Sequence, residues 1–288
     1  MADWVPFHQQ EALTTRLANI LEEYPVGVGS LREFVQNADD AGASTLVFAV
    51  DTRTHASAAD ASPVAISRTA PSLLVWNDAS FSERDFESII SIGRSKKRED
   101  ASTIGKYGLG FNVSYHFTDT PQFVSSSSVV VFDPHGRAIS DGSLGLRADF
   151  TGEFGAAQPG LVQPLLRPLA EIEALMLEPA DRSLPDQPIR STLFRFPLRD
   201  ADAAAQSSLS QRVHSADDVR GLLEELEVGL GEMLLFVQHV QKKEQQQSSL
   251  SPQLAVSIWS FSRMRRRAAE TMLVRRIAMP NCPTQAAS

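Results

Sequence analysis

The segment LREFVQNADDAGA, from Leu31 to Ala43, constrains the fold of this chain most, because its polar and apolar residues recur with helical spacing. At about 100° per residue, Asn37 lies roughly 40° and Asp40 roughly 20° from Glu33 around a helix axis. A neighbouring stripe is apolar and consists of Phe34, Ala38 and Ala41. We therefore predict a helix that packs on a core through one stripe and offers three polar side chains through the other, either to solvent or to a ligand.

The polar stripe also has a local explanation that involves no ligand. Ser30 and Glu33 fit the capping box S-x-x-E, in which the glutamate accepts a hydrogen bond from the first backbone N–H of the helix. Polar helix faces are, moreover, usually solvated. The segment alone leaves these interpretations open, so the rest of the chain must decide between them.

Composition restricts the classes of protein to which the chain can belong. Its 288 residues are 42% hydrophobic and 22% charged, which is typical of globular proteins and sufficient for one large domain or two small ones. A net charge of −8 argues against a general electrostatic attraction to nucleic acid, so we expect no nucleic-acid partner. Cys282 is the only cysteine, which excludes an internal disulfide framework and a multi-cysteine metal site.

The sequence carries no recognisable targeting signal. Its opening, MADWVPFHQQEALTTRL, lacks the charged start and apolar run of a signal peptide, and no segment approaches the roughly 18 apolar residues of a membrane span. We therefore expect no membrane partner and a cytoplasmic location in a reducing environment, without ruling out the nucleus.

Hydrophobic periodicity predicts an alternation of helices and strands. Helices are predicted at FHQQEALTTRLANILEEYP, at the polar-striped segment, and at FSERDFESIISIG, where Ser82 and Asp85 can form the cap. Strands are predicted at ASTLVFAVD, SLLVWND and STLFRFPLR, with a strand pair in QFVSSSSVVVFDPHG. The stretch SADDVRGLLEELEVGLGEMLLFVQHV indicates a helix pair, or one long helix interrupted at Gly229 or Gly231.

Stretches without periodicity divide the chain. We predict a main domain over residues 1–200 with variable, irregular loops at 54–71 and 152–188, followed by a helical extension of the same domain over 201–240. Residues 241–288 are predicted to form a low-complexity segment and a basic tail, RMRRR, with one further strand from Leu254 to Trp259 before that tail.

A glycine cluster follows the third predicted helix. In IGKYGLGFNVSYHF, the glycines at 105, 108 and 110 permit positive φ and close backbone approach, and a helix that begins near Phe111 would direct N–H groups at an anion. A flexible turn without a ligand explains the cluster equally well, and it is not a Walker A loop, because G-x-x-x-x-G-K-[ST] does not occur. His116, which lies among aromatic residues, is predicted to be a packed histidine.

The order of these motifs resembles the sacsin family, including its plant relative NO VEIN. The resemblance rests on REFVQNADDAGA, LLVWNDASFSERDFESIISIGRSKKR, the glycine loop with the strands after it, and STLFRFPLR, and it covers Pro6 to Val240. It implies an ATP-binding domain of the GHKL superfamily, shared by gyrase, the ninety-kilodalton heat-shock chaperone, sensor histidine kinases and MutL. The implied α+β fold, the Bergerat fold, is a two-layer sandwich of helices on one face of a mixed, mostly antiparallel sheet, with ATP beneath a lid.

The resemblance also implies roles for individual residues, with ATP and Mg²⁺ as ligands. Glu33 matches the glutamate that activates water for attack on the γ-phosphate, and Asn37 matches the amide that binds Mg²⁺. Asp78 matches the aspartate that accepts a hydrogen bond from the adenine amino group, and Thr192 the threonine that supports it. The remaining implied pocket residues are Asp40, Ala41, Gly105, Gly108, Leu109, Gly110 and Phe111, and the lid would span Ser91 to Ile104.

One departure bears on nucleotide affinity. The superfamily has D-x-G-x-G after the adenine aspartate, whereas Ala79 and Ser80 follow Asp78 here, so the backbone near adenine must differ. The leading hypothesis is a sacsin-like domain that binds Mg-ATP and hydrolyses it slowly, closing a lid in a chaperone-related or protein-quality-control role, with client or co-chaperone proteins as partners. The alternative is a non-hydrolysing, nucleotide-gated or nucleotide-free interaction module. A DNA-repair or topoisomerase-type ATPase lacks a supporting basic domain.

Overall fold

A computed structural model describes the chain at residues 11–53, 64, 70–91, 110–183, 187–233, 256–266 and 269–277. Its helices are α1 Leu13–Glu23, α2 Val28–Asp40, α3 Glu83–Ile89, α4 Glu153–Ala157, α5 Pro159–Met176, α6 Ala201–Gln206 and α7 Ala216–Met233, with 3₁₀ helices at Gly110–His116 and Pro179–Asp181. Its strands are β1 Thr45–Asp51, β2 Ser72–Asn77, β3 Gln122–Ser126, β4 Ser128–Phe132, β5 Gly145–Asp149, β6 Ile189–Pro197, β7 Val256–Arg266 and β8 Ala269–Ile277.

The strands form one sheet in the order β5-β4-β3-β6-β2-β1-β7-β8. All seven neighbouring pairs in the described part of the chain are antiparallel. In this register Asn77, the last residue of β2, lies between Leu46 of β1 and Thr192 of β6. The predicted α+β class, with helices packed on an antiparallel sheet, is confirmed.

Strand alternation directs side chains to two separate cores, because successive residues of a strand point to opposite faces. Leu73 and Val75 of β2 join a core that α2 and α7 cover. There Phe34 of α2 stacks on Phe196 of β6 with ring centroids 5.2 Å apart. Phe34 and Ala38 of the predicted apolar stripe therefore pack on the sheet, whereas Ala41 is exposed at the C-cap of α2. The polar stripe of the helix is directed away from this core.

Helix α5 covers the opposite face of the sheet, so helices lie on both faces and not on one face as expected, and the prediction of an irregular loop at 152–188 is wrong. Leu74 and Trp76 of β2 lie in this second core, together with Leu161, Val162, Leu165, Leu169 and Ile172 of α5. The helix contains Pro164 and Pro168, which ordinarily break a helix because proline lacks a backbone donor. Burial of a continuous apolar stripe against the sheet outweighs that local penalty.

The C-terminal predictions also need correction. Residues 263–266, which were predicted to belong to a basic tail, lie in β7, which pairs with β1 on one side and β8 on the other. The predicted strand from Leu254 to Trp259 was therefore too short. Helix α7 continues past Gly229 and Gly231 without interruption. Residues 234–255 lie outside the described part of the chain.

Two further findings complete the fold. Most of the predicted loop at 54–71 lies outside the described residues, but Val64 is buried and forms an isolated bridge to Ile139. None of the described helices combines the length and the apolar character needed to cross a bilayer.

The packing of α5 predicts that shortening a buried side chain of this helix destabilises the fold more than shortening an exposed one. Leu165→Ala should lower the free energy of unfolding by about 2–5 kcal/mol, because it opens a cavity where Leu165 is fully buried. Gln163→Ala, at an exposed position of the same helix, should change it by less than about 0.5 kcal/mol. Urea denaturation of the two variants measures both values, and equal stabilities would show that α5 does not pack on the sheet.

Candidate functional site

A cavity of about 330 Å³ lies between α2, α3 and the end of β2, next to the start of the 3₁₀ helix Gly110–His116. Pockets for small molecules usually have volumes of roughly 300–1,000 Å³ and combine apolar walls with a few polar groups. This cavity has that composition. Its polar lining comes mainly from α2 and α3, and its apolar lining consists largely of Val75, Phe81, Ile89, Phe111 and Phe194.

The predicted polar stripe of α2 faces this cavity. Glu33, Asn37 and Asp40 all line it, and Ala41 follows at the end of the helix. The alternative interpretation, a capping box formed by Ser30 and Glu33, is wrong, because α2 begins at Val28 and its N-cap is Gly27. The polar stripe is thus not an N-terminal cap, and it borders the cavity.

Gly110 brings the backbone of the glycine loop against this stripe. A Cβ atom at Gly110 would lie 2.8 Å from both Nδ2 and Oδ1 of Asn37 and 3.1 Å from Oε2 of Glu33. These distances leave no room for a side chain without displacing the amide. The structure therefore brings Glu33, Asn37 and Gly110 together, as the motif order predicted. Gly105, Gly108 and Leu109 lie outside the described residues, as does the predicted lid beyond Ser91.

The carboxyl group of Glu33 is half-buried, and burial raises its pKa above the ordinary value of 4.5. Desolvation penalises the charged form of an acid, which is the cause of this direction. A carboxylate with a raised pKa is a stronger proton acceptor than an exposed one.

Asp78 does not line the cavity. Its carboxylate accepts hydrogen bonds from the backbone N–H groups of Ser44 at 2.7 Å and Thr45 at 2.9 Å, and a further bond from the Ser44 hydroxyl. Ser44 ends the turn between α2 and β1, and Thr45 is the first residue of β1. The side chain that the resemblance assigned to adenine is thus engaged in joining that turn to the end of β2.

Asn77, the preceding residue, lines the cavity instead. It is 6% exposed, and its Oδ1 accepts a hydrogen bond from the backbone N–H of Ala79 at 3.1 Å. Motif comparison missed this residue because it selected the aspartate. Strand alternation offers a signal that could have found it, since Val75 and Asn77 are two residues apart and must share a face.

Thr192 supports the loop after β2 and does not support the side chain of Asp78. Its hydroxyl donates to the carbonyl oxygen of Ala79 at 2.7 Å and is hydrogen-bonded to Ser125 Oγ at 2.7 Å. Ser125 Oγ in turn accepts from the backbone N–H of Phe81 at 2.8 Å. The predicted supporting role thus applies to the segment 77–81, which forms one wall of the cavity, although Thr192 itself does not line it.

Two comparisons with known proteins agree with this arrangement of motifs. The family model described as the Sacsin domain matches residues 10–253. The chain belongs to the sacsin family. Human sacsin is similar to it, with 34% identity over 245 residues that cover 82% of this chain and 5% of sacsin itself. The chain therefore corresponds to a small part of the length of that relative.

The remaining wall of the cavity in this sacsin-family chain comes from α3. Its Asp85, Ser88 and Ile89 line the cavity, and the predicted cap is confirmed, because Asp85 accepts hydrogen bonds from the Ser82 backbone and hydroxyl. Sequence patterns identified this cap but gave no sign that the same helix borders a site.

His116 lies on the 3₁₀ helix but does not line the cavity. It is buried, its Nε2 is hydrogen-bonded to the carbonyl oxygen of Tyr24, and burial lowers its pKa. The prediction of a packed histidine is confirmed. Among the described residues, no group of three or more His, Cys, Asp or Glu side chains is arranged to hold a metal ion.

The contacts of Asp78 predict a structural role that a stability measurement detects. Asp78→Asn should lower the free energy of unfolding by about 1–3 kcal/mol, because the neutral amide loses the charge that strengthens the hydrogen bonds from the Ser44 and Thr45 N–H groups, and its N–H₂ replaces the oxygen that accepts from the Ser44 hydroxyl. Asp202→Asn, at an exposed position of α6, should change it by less than about 0.5 kcal/mol. If both variants unfold at the same urea concentration as the wild type, the Asp78 hydrogen bonds contribute nothing.

Proposed function

We propose that this chain binds Mg-ATP in the cavity beside α2 and hydrolyses it slowly, with Glu33 as the general base. The observation that carries the proposal is the convergence of Glu33, Asn37 and the backbone of Gly110 at one end of that cavity. A general base, a metal-binding oxygen and a backbone without a side chain are the groups that phosphate chemistry uses.

Glu33 supplies the base in this proposal. A carboxylate activates water when it lies within one hydrogen bond of that water, and the side chain of Glu33 faces the cavity in which the water would be held. Its raised pKa brings the group closer to neutral pH, where a base accepts a proton most effectively. Burial of half of the carboxyl group thus contributes to its reactivity.

Asn37 supplies the metal-binding oxygen. Its amide lies one helical turn from Glu33 on the same stripe and is in contact with Gly110. Mg²⁺ prefers oxygen ligands in octahedral geometry and retains several waters, so one amide oxygen and phosphate oxygens are a suitable set. The bound ion would neutralise negative charge on the phosphates.

The apolar lining of the cavity suits a purine ring. Phe81, Phe111 and Phe194 form an apolar wall there, and their rings already contact each other with centroids about 6 Å apart. Flat apolar surfaces stack favourably on aromatic bases. The cavity therefore offers apolar side chains for the base and polar groups for the phosphates.

A chaperone-related or protein-quality-control role, with client or co-chaperone proteins as partners, is part of this proposal and is supported by the family membership. Because the aligned region covers 5% of human sacsin, a partner would be sought first with the isolated chain and then with a longer protein that contains it.

One observation favours the second candidate, a non-hydrolysing or nucleotide-free interaction module. The carboxylate of Asp78 is occupied by Ser44 and Thr45, so the base contact that the resemblance implies is not formed by this side chain. Nucleotide binding and turnover must therefore be measured separately.

Phosphate release from Mg-ATP distinguishes the candidates. We expect slow turnover by the wild-type chain and a loss of about a hundredfold or more in Glu33→Ala, because the general base is removed while binding is retained. Glu22→Ala, at an exposed position of α1, is the matched control and should turn over at the wild-type rate. Calorimetric titration with Mg-ATP reports binding in each variant.

Three results would change the assignment. Unchanged turnover in Glu33→Ala would remove Glu33 from the base role. Binding without turnover in the wild type would identify a nucleotide-gated module, and absence of binding at millimolar Mg-ATP would leave only the nucleotide-free module.

Burial of Glu33 also predicts a pH-dependent stability. Because the folded state raises the pKa of this carboxyl, its charged form destabilises the fold, and that penalty is lost as the pH falls from the raised pKa towards the ordinary value of 4.5. Glu33→Gln should therefore melt at a higher temperature than the wild type at neutral pH, and the difference should shrink as the pH falls towards 4.5 and be lost below it. Thermal unfolding followed by circular dichroism tests this, and a difference independent of pH would contradict it.

A further inference from the structure

Asn77 is the polar side chain that the sheet presents to the cavity. Its neighbours on the same face, Val75 on β2 and Phe194 on β6, line the cavity with it. Asp78 is directed instead to the turn at Ser44 and Thr45. A nucleotide base that packs against this part of the sheet would contact the amide of Asn77 and not the carboxylate of Asp78.

The hydrogen bond from Ala79 determines which end of that amide is free. A backbone N–H can only donate, so the atom 3.1 Å from Ala79 N is the acceptor Oδ1. Nδ2, which carries two donor hydrogens, is then the end left for a ligand, and it has no protein partner in the described part of the chain.

The loop that holds Oδ1 is itself fixed. Thr192 donates to the carbonyl oxygen of Ala79 at 2.7 Å, so both polar backbone groups of Ala79 are engaged. Rotation of the Asn77 amide by 180° would bring two donors together, Nδ2 and Ala79 N–H. The structure thus orients a donor towards the cavity before any ligand binds.

We propose that Nδ2 of Asn77 donates a hydrogen bond to the base of the bound nucleotide, and that the site consequently accepts 6-oxopurine as well as 6-aminopurine triphosphates. This inference rests on the proposed nucleotide function. N1 of adenine is an acceptor, and O6 of hypoxanthine or guanine is also an acceptor, so one donor serves both classes. A carboxylate at this position would accept from a 6-amino group and repel a 6-oxo group.

Calorimetric titrations with Mg-ATP and Mg-ITP test the inference. Inosine triphosphate changes the 6-position without adding the 2-amino group of guanine. The wild-type chain should bind the two nucleotides with dissociation constants within about tenfold of each other. Asn77→Asp retains the acceptor for Ala79 N–H, so the fold is preserved, and it should shift the ratio towards ATP by about tenfold or more.

Asp78→Asn is the matched control, because it replaces a carboxylate by an amide at the adjacent position, whereas Asn77→Asp replaces an amide by a carboxylate. It should lower the melting temperature through its contacts with Ser44 and Thr45, yet leave the ratio of the two dissociation constants as in the wild type. A ratio that responds to Asp78→Asn and not to Asn77→Asp would assign the base contact to Asp78.

The remaining outcomes separate this inference from the proposed function. Wild-type binding of ATP about a hundredfold or more tighter than ITP, or an unchanged ratio in Asn77→Asp, would overturn the inference while Mg-ATP binding stands. Failure of the wild-type chain to bind either nucleotide would overturn the proposed function and this inference with it.

Discussion

The carboxylate of Asp78 is the interaction on which the geometry of the site depends. It joins the backbone of Ser44 and Thr45, just after α2, to the end of β2, and the backbone N–H of Asp78 also donates to the Thr45 carbonyl oxygen. The end of α2 and the end of β2 therefore meet at one corner of the sheet. Asn77, the last residue of β2, lies two residues after Val75 and therefore faces the cavity on the same side of the sheet. The Asp78 carboxylate thus fixes the position of the polar stripe of α2 relative to the end of β2.

Those parts of the site that depend on local periodicity could be predicted from the sequence. The 3.6-residue repeat of α2 placed Glu33, Asn37 and Asp40 on one stripe, and all three line the cavity. Close backbone approach at Gly110 followed from its lack of a side chain. The position of Asp78 did not follow, because residues beyond the end of a strand no longer obey its alternation, and the Asp78 partners come from a turn 33 and 34 residues earlier in the chain.

Long-range packing explains the other errors. Pro164 and Pro168 lower local helix propensity, yet α5 forms, because its apolar stripe covers a sheet face that would otherwise be exposed. Similarly, the arginines in RMRRR suggested a solvated tail, whereas residues 263–266 continue β7 and pair with β8, and the preceding part of β7 pairs with β1. Neither the exposed sheet face nor the unpaired strand edge is visible in the local sequence, since both arise only when distant strands have paired.

In the proposed function, the base contact and the phosphate chemistry rest on different elements of the cavity. The proposed base contact belongs to the sheet, where Thr192 and Ser125 fix the loop after Asn77. On its outer side, α3 is held by Arg147, which binds Glu83 and stacks 3.7 Å from the Phe86 ring centroid. The proposed phosphate contacts belong to α2, where partial burial raises the pKa of Glu33. Changes at the sheet wall should therefore act mainly on nucleotide selectivity and changes at Glu33 mainly on turnover, and a double-mutant cycle measures the coupling that their shared cavity introduces.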